Sequence, residues 1–257
     1  MIDPTRPFFA FSRVSAILRS MKPAVLAAAV LLLASNDAQA DLIVNGNFAN
    51  NSGTGQLTVN TALPSWTGSG REGNFGSQTT PPVFVFNAGA ALAVGDAFMG
   101  VVNFYGNPEL TAPGNGIFVA ADGDSSFAGG ISQTISGLTV GQQYTLNFNW
   151  AGVQQVGFFG PTTEQWRVSF GSQTQSTSLV SIPNNGFSGW QTASMEFTAT
   201  SASQLLSFAA IGSPDGLPPW LLINGVSMQA VPEASSVVLM SAGLVGIGVI
   251  RRFRKRS

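Results

Sequence analysis

Residues 144–150, Tyr144-Thr145-Leu146-Asn147-Phe148-Asn149-Trp150, alternate strictly between large apolar and polar side chains. Successive side chains of an extended strand point to opposite faces, so the apolar ones here share a buried face and the polar ones face solvent. The same period recurs in three later runs, whose apolar members are Trp166, Val168 and Phe170; Ala193, Met195, Phe197 and Ala199; and Leu206, Phe208 and Ala210. The pattern predicts several half-buried antiparallel strands.

Clusters of Gly, Pro, Asn and Asp separate these runs, as at Gly137 to Gly141, Pro183 to Gly186 and Ser213 to Gly216. Such residues favour turns. Strands that follow one another without helices predict an all-β domain, an antiparallel β-sandwich of the jelly-roll type, over residues 41–230. Earlier in the domain, further strands are predicted at Leu42 to Val44, Pro82 to Phe86 and Ala97 to Asn103.

Basic residues are concentrated at the two ends of the chain. Between Asp41 and Ala230 only Arg71 and Arg167 are basic, and two arginines against nine acids give a net charge of −7. Nucleic-acid binding needs clustered Lys and Arg, so no nucleic-acid partner is expected. The chain contains no Cys and no His, which excludes disulfides, Cys-containing zinc sites and catalytic triads based on His.

Residues 1–40 have the organisation of a signal peptide. After a basic segment, an apolar stretch runs from Ala24 to Ala34, and Ala38 and Ala40 place small residues before a cleavage site. We expect cleavage after Ala40, which makes Asp41 the first residue of the exported protein. Two methionines are candidates for the translation start, Met1 and Met21.

Residues 231–257 form the second terminal segment. The apolar stretch from Ala234 to Ile250 is just long enough to cross a bilayer as a transmembrane helix. It is followed at once by a basic tail, which consists of Arg251, Arg252, Arg254, Lys255 and Arg256. The positive-inside rule places this tail in the cytoplasm. A simple tail anchor is one interpretation of the segment.

The tripeptide Val231, Pro232 and Glu233, the glycine-containing apolar stretch and the basic tail together resemble the PEP-CTERM sorting signal of Gram-negative bacteria. The tripeptide of that family is usually Pro-Glu-Pro, whereas Ala234 follows Glu233 here. The resemblance implies an exosortase-like processing enzyme as partner. It also implies anchoring in the inner membrane before processing, then a place at the cell surface or in the extracellular matrix, in association with exopolysaccharide.

Four segments resemble β-sandwich ectodomains that accompany this sorting signal and are similar to galactose-binding or carbohydrate-binding modules. They are Leu42 to Phe48, Ile131 to Tyr144, Phe187 to Trp190 and Trp220 to Met228. This resemblance implies the sandwich fold, and it makes binding of a glycan an expected refinement of the function.

Two short segments resemble ligand-binding loops. Gly68 to Gly73 has the spacing of a dinucleotide-binding loop, but no βαβ unit surrounds it, and we interpret it as a plain loop. Asp122 to Ser126 places oxygen ligands at alternate positions, as a calcium loop does. An EF-hand needs Glu at the position that Gln133 occupies, so an EF-hand is excluded. The alternatives are a structural Ca²⁺ held by Asp122 and Asp124, or a solvated turn.

Aromatic residues in loop-rich segments are candidates for stacking on a sugar ring, namely Trp66, Phe75, Phe84, Tyr105 and Phe118. Most aromatic side chains are buried in cores, however, and Trp150, Trp166 and Trp190 fit the core pattern better.

Carboxylates are the only conventional acid–base groups in the domain, and glycoside hydrolysis uses two of them at a set separation. The glutamates are Glu72, Glu109, Glu164 and Glu196. No spacing pairs any two of them, and Glu196 lies on the outward phase of its strand. We therefore predict a noncatalytic surface or matrix protein. A carboxylate-dependent glycan hydrolase and a permanently tail-anchored periplasmic protein are the alternatives.

Overall fold

The computed structural model describes residues 40–70, 80–90, 92–106 and 111–232. Most of the expected signal peptide, including Ala38, and the chain from Glu233 onward lie outside these residues. The transmembrane helix and the basic tail expected there stay predictions. Within the described ranges, no helix is both long and apolar enough to cross a membrane.

The described residues form short strands up to β5, and the long strands all follow residue 118. The strands are β1 (Gly55–Gln56), β2 (Thr67–Ser69), β3 (Val83–Phe86), β4 (Leu92–Val94), β5 (Val101–Asn103), β6 (Phe118–Asp122), β7 (Gly130–Ser136), β8 (Gln143–Gln154), β9 (Thr162–Phe170), β10 (Gln173–Ser176), β11 (Val180–Ile182), β12 (Gln191–Thr198), β13 (Ser203–Ser213) and β14 (Pro219–Ala230).

Two antiparallel sheets contain most of these strands. The first sheet has the order β1-β3-β6-β14-β8-β12, and the second has the order β10-β9-β13-β7-β2 with β11 also paired to β9. Strands β4 and β5 form a separate hairpin. From β6 onward the chain passes back and forth between the two sheets, and β14 returns to lie between β6 and β8, as in a jelly roll. The predicted all-β sandwich is confirmed.

The main core lies between the two sheets and explains the alternation in the sequence. It contains the predicted inward residues of four strands, including Tyr144, Leu146, Phe148, Trp150, Trp166, Val168, Phe170, Met195, Phe197, Leu206 and Phe208. The rings of Phe148 and Phe208 meet edge to face across the core, with centroids 5.1 Å apart. Burial of these large side chains is the main stabilisation of the fold.

A second apolar cluster covers part of the outer face of the first sheet. Its buried members are Phe84, Phe86, Ala93, Val102, Phe104, Ala112, Phe118, Ala120, Ala151, Val153, Trp220 and Leu222. Ala93 and Val102 come from the β4–β5 hairpin and the others mostly from the sheet. The hairpin therefore acts as a lid over this half of the sheet, which is apolar on both faces.

The predictions for the first part of the domain are only partly right. Pro82 to Phe86 matches β3, but Leu42 to Val44 is not a strand. Instead the Leu42 amide donates to the Met228 carbonyl (2.9 Å), and the Asp41 carboxylate accepts the amides of Ile43 and Met228. The segment lies beside β14 through isolated contacts rather than a continuous ladder.

Two other boundaries differ from the prediction. Only Val101–Asn103 of the segment Ala97 to Asn103 is a strand, because the Asp96 carboxylate accepts the Phe98 and Met99 amides and holds a turn there. Gly68 and Ser69, interpreted above as part of a loop, belong to β2, which pairs with β7. Residues 71–73 of that glycine-rich segment lie outside the described residues.

Several glutamine side chains act as partners for backbone groups. The Gln133 amide accepts from the Val44 amide (2.9 Å) and donates to the Val44 carbonyl (2.8 Å). Gln173 does the same for Thr198 on the edge strand β12, and Gln175 donates to the Glu196 carbonyl of that strand. These amides satisfy backbone groups that no neighbouring strand reaches.

Candidate functional site

Nine side chains on the outer face of the first sheet form a regular array that we call the polar grid. Residues paired in register point to the same face, so each row of the array runs across β12, β8 and β14. The rows are Thr192, Asn149 and Asn224; Ser194, Asn147 and Ser227; and Glu196, Thr145 and Gln229. The intervening residues of the same strands lie in the main core. Eight of the nine side chains are neutral.

The amides of the polar grid are only partly used within the protein. Thr192 Oγ1 donates to Asn149 Oδ1 (3.2 Å), and Asn224 Nδ2 donates to Asn115 Oδ1 (3.3 Å) and to the Ile117 carbonyl. Asn147 lies half-buried at the centre, and its side chain makes no hydrogen bond to any residue of the described ranges. Its carbonyl and amino groups are therefore available to a ligand.

A β-bulge in β14 keeps the array in register. The pairing with β8 shifts between Asn224 and Ser227, and Gly225 in the bulge has a φ of 63°. A Cβ atom at Gly225 would lie 2.8 Å from Asn149 Nδ2. Glycine is therefore required here twice, for its backbone conformation and for the space that the Asn149 amide occupies.

Trp190 lies where the polar grid meets the second apolar cluster. It precedes β12 on the same phase as Thr192 and Ser194, packs against that cluster, and contacts the Phe118 ring edge to face with centroids 5.8 Å apart. Its side chain is half-buried and its indole Nε1 has no hydrogen-bond partner among the described residues. The prediction that placed Trp190 with Trp150 and Trp166 in the core is therefore only partly right, because Trp190 packs against the second apolar cluster but its side chain is half-buried.

The aromatic residues proposed from the sequence as sugar contacts are mostly inaccessible. Trp66, Phe84 and Phe118 are buried, and the Trp66 indole donates to the Asn45 carbonyl (3.1 Å). Tyr105 is half-buried, and Phe75 lies outside the described residues. A buried ring cannot stack on a ligand, which leaves Tyr105 as the accessible described member of this set, and Trp190 is a further half-buried candidate.

The side chains proposed for calcium hold two loops together. Asp124 accepts the amides of Ser126 (2.8 Å) and Gly216 (2.6 Å), and Asp122 accepts the Asp124 amide (2.9 Å). Asp215 accepts the Ser125 amide and hydroxyl in return. The described ranges contain no group of three or more His, Cys, Asp or Glu side chains that could hold a metal ion. Structural Ca²⁺ at Asp122 and Asp124 stays a prediction.

Burial and hydrogen bonding shift the pKa values of two of these aspartates, Asp122 and Asp215. Loss of solvent around Asp122 raises its pKa from 3.8 to about 7, and the negative charges of Asp124 and Asp215 add to the rise. Asp215 is exposed, and its pKa is lowered because the Ser125 hydroxyl and amide donate to its carboxylate. Two neighbouring acids therefore shift in opposite directions.

The glutamates do not form a catalytic pair in the part of the chain that the structure describes. Glu164 is fully buried between the sheets, where its Oε1 accepts from the Thr162 hydroxyl (2.8 Å) and its Oε2 has no partner. Burial raises the pKa of Glu164 well above its usual value. Glu196 is exposed on the other sheet. Glu72 and Glu109 lie outside the described residues.

The sequence contained part of the signal for this site. Thr145, Asn147 and Asn149 are the outward members of the stretch that decides the fold, and Trp190 lies two residues before the outward Thr192. If the alternation of β12 is continued two residues toward the N-terminus, Trp190 falls on the same outward face as Thr192. The sequence did not show which residues of β14 join the polar grid, because the register of β14 against β8 depends on the β-bulge.

Known proteins resemble this chain in structure and not in sequence. No family model and no curated protein matches it. The structure of TmCBM61 in complex with β-1,4-galactotriose has a TM-score of 0.44 and 16% identity, over 75% of this chain and 99% of that one. A CBM4 structure has a TM-score of 0.33 and 15% identity, over 74% and 99%. The enzymatically active domain of bacteriophage CBA120 tailspike protein 4 has a TM-score of 0.35 and 14% identity, over 74% and 21%.

Proposed function

We propose that this protein is a noncatalytic glycan-binding protein and that the polar grid with Trp190 is its binding surface. The observation that carries the proposal is a set of mostly neutral amide and hydroxyl side chains on three neighbouring strands, with an unpaired side-chain amide at Asn147, on the sheet face that also carries a half-buried indole. A pyranose ring presents hydroxyl groups around its rim and apolar C–H faces. Amide and hydroxyl side chains fix the rim, and an aromatic ring packs against a face.

The charge of the surface favours a neutral glycan. Glu196 is the one charged member of the polar grid, and the Gln143 amide donates to its carboxylate (2.8 Å). The domain around it has a net charge of −7. A polyuronate would meet repulsion from this domain, whereas binding of a neutral polymer would change little with ionic strength.

Replacement of both Asn147 and Trp190 with alanine is expected to weaken binding of a neutral polysaccharide at least tenfold. The double variant removes a free amide and the apolar platform, and tenfold corresponds to about 1.4 kcal/mol. Affinity gel electrophoresis of the full chain against galactan, xylan and mixed-linkage β-glucan measures the effect, with polygalacturonate as the charged comparison.

The matched control is Gln165→Ala, an amide deletion on the outer face of the second sheet, which should leave retardation unchanged. Wild-type retardation that the double variant retains in full would contradict the proposed surface. Preferential retardation by polygalacturonate would contradict the neutral ligand class.

A glycan hydrolase is not favoured by the described residues. Glu164 cannot reach a substrate from its buried position, and Glu196 has no second carboxylate in the polar grid. Binding without turnover is the function that these side chains support.

We further propose that the protein is exported through its N-terminal signal and sorted by its C-terminal segment to the cell surface or matrix. The support is the sequence organisation of residues 1–40 and 231–257. Within the described part, the Val231 amide donates to the Gln143 carbonyl (2.8 Å), and the Gln142 amide donates to the Val231 carbonyl (2.7 Å). The tripeptide thus begins directly where β14 ends.

Mass spectrometry of the mature protein from the native host is expected to show an N-terminus at Asp41 and loss of the basic tail. Both expectations follow from processing at Ala40 and near Glu233. A mature chain intact through Ser257 would contradict sorting by cleavage and would favour the permanently tail-anchored protein. Replacement of Pro232 and Glu233 with alanine should leave the tail in place if the tripeptide is recognised.

A further inference from the structure

A groove of about 400 Å³ lies on the second sheet, on the side of the sandwich away from the polar grid. It is lined by Val44, Ser65, Trp66, Thr67, Ser132, Gln133, Thr134 and Leu205. Thr67 pairs with Ser132 and Thr134 pairs with Leu205, whereas the alternate residues Ile131 and Ile135 lie in the main core. The groove is therefore on the outer face of this sheet, where β2 ends beside β7.

Four hydroxyl groups of this groove are free. Ser65, Thr67, Ser132 and Thr134 make no side-chain hydrogen bond to any residue in the described ranges, whereas Ser136, two positions further along β7, pairs with Ser203. Ser65 also has a φ of 72°, a conformation that costs energy in a residue other than glycine. These hydroxyls are exposed or half-buried, so they are open to solvent and to a ligand.

The walls of the groove are apolar and fixed in position. Val44 is 60% exposed and Leu205 is 52% exposed. The buried Gln133 amide holds the Val44 backbone by two hydrogen bonds, so that Val44 stands at the rim. None of the lining residues that the structure describes is charged, which disfavours phosphate, carboxylate and metal-ion ligands. Free hydroxyls between aliphatic walls match the hydroxyl rim and C–H faces of an uncharged sugar.

We propose that this groove is a second binding site, for a short segment of neutral glycan. The ligand class rests on the proposed function, but the site consists of different residues on the opposite face of the sandwich. Its volume is within the range of ligand pockets in proteins. With one site on each outer face, the domain bridges two polymer chains instead of decorating one.

Isothermal titration of the full chain with galactotriose, xylotriose and cellotriose tests the number of sites. We expect two bound trisaccharides per chain for the sugar that binds. Ser132→Ala with Thr134→Val removes two groove hydroxyls at outward positions and keeps the side-chain shapes, so the count should fall to one. Thr134→Trp, which fills the groove, should have the same effect. Ser136→Ala on the same strand is the matched control and should keep both sites.

The grid variant Asn147→Ala with Trp190→Ala separates this proposal from the first one. If the grid variant still binds one trisaccharide, and adding the groove substitutions to it removes that binding, both sites exist. If the wild type binds one trisaccharide and the grid variant abolishes it, the groove proposal fails and the proposed function stands. Absence of binding in the wild type overturns both.

Turbidity of a long-chain polymer of the same sugar gives an independent measurement. The wild type should cross-link and cloud the solution, whereas each single-site variant should bind without clouding it. Clouding by the groove variant at wild-type level would overturn the second site.

Discussion

Replacement of Asp122 with asparagine is expected to raise the free energy of unfolding at pH 8 by about 4 kcal/mol. Burial is the main reason that the pKa of Asp122 rises from 3.8 to about 7, and the expected free energy follows from the conversion of about 1.4 kcal/mol for each tenfold change in proton affinity. Asparagine keeps an oxygen for the Asp124 amide, which donates to Asp122 Oδ1, and it removes the buried charge.

The pH dependence has a definite sign. The folded protein binds the Asp122 proton more tightly than the unfolded chain, so its stabilising contribution is complete below about pH 4 and is lost as pH rises through 7. Urea unfolding between pH 4 and 9 should show wild-type stability falling over this window, with a shallower fall in the variant. Glu164, whose pKa is also raised, leaves a residual slope of the same sign. Parallel curves for the two proteins would contradict the assignment.

Asp215→Asn is the matched control for this experiment. Its carboxylate is exposed and its pKa is lowered by the Ser125 hydroxyl, so its contribution is present at neutral pH and is lost as pH falls. The variant should lower stability at pH 8 slightly and should leave the fall between pH 4 and 7 in place. A flattened profile in Asp215→Asn instead of Asp122→Asn would reverse the roles of the two acids.

Replacement of Trp220 with alanine is expected to lower the free energy of unfolding by about 3–5 kcal/mol. Trp220 is fully buried in the second apolar cluster and contacts the rings of Phe84 and Phe104, with centroids 5.5 and 5.3 Å away. Its indole also donates to Gln155 Oε1 (2.9 Å). The variant leaves a cavity under the β4–β5 hairpin and an unpaired amide.

Chemical unfolding monitored by circular dichroism measures the loss. Trp220→Phe keeps an aromatic ring and should cost less than the alanine variant. Trp190→Ala on the same sheet face is the informative comparison, because Trp190 is half-buried and should affect glycan binding more than stability. A loss below about 1 kcal/mol for Trp220→Ala would show that the hairpin is not supported by this side chain.

Sequence periodicity predicted the strands that contribute to one core only. The outward Thr145, Asn147 and Asn149 are polar because solvent lies above that half of β8. The pattern fails further along the same strand, where Ala151 and Val153 face the second apolar cluster. A strand that is buried on both faces of its sheet is apolar at every position and shows no alternation. The sequence therefore contained no sign that the β4–β5 hairpin covers this part of the sheet.

The binding surfaces needed information about distant residues. The polar grid joins β8 and β12 to β14, and the groove joins Val44 to Leu205 across most of the domain. Strand alternation specifies which face a residue occupies, but it does not specify its neighbour on the next strand. For the same reason Asp122 and Asp124 had the spacing of a calcium loop, while their hydrogen-bond partner Gly216 lies far along the chain.

The place of β14 in the first sheet has a mechanical consequence. This long strand is paired with β6 on one side and β8 on the other, and the chain leaves it at Ala230. When the protein is held through the chain that follows Ala230 and pulled by a polymer on the polar grid, the load enters the central strand along its length. The backbone hydrogen bonds to β8 along the strand, and those to β6 over Trp220–Ile223, then resist in shear, together rather than one after another. An edge strand such as β12 would peel away under the same force.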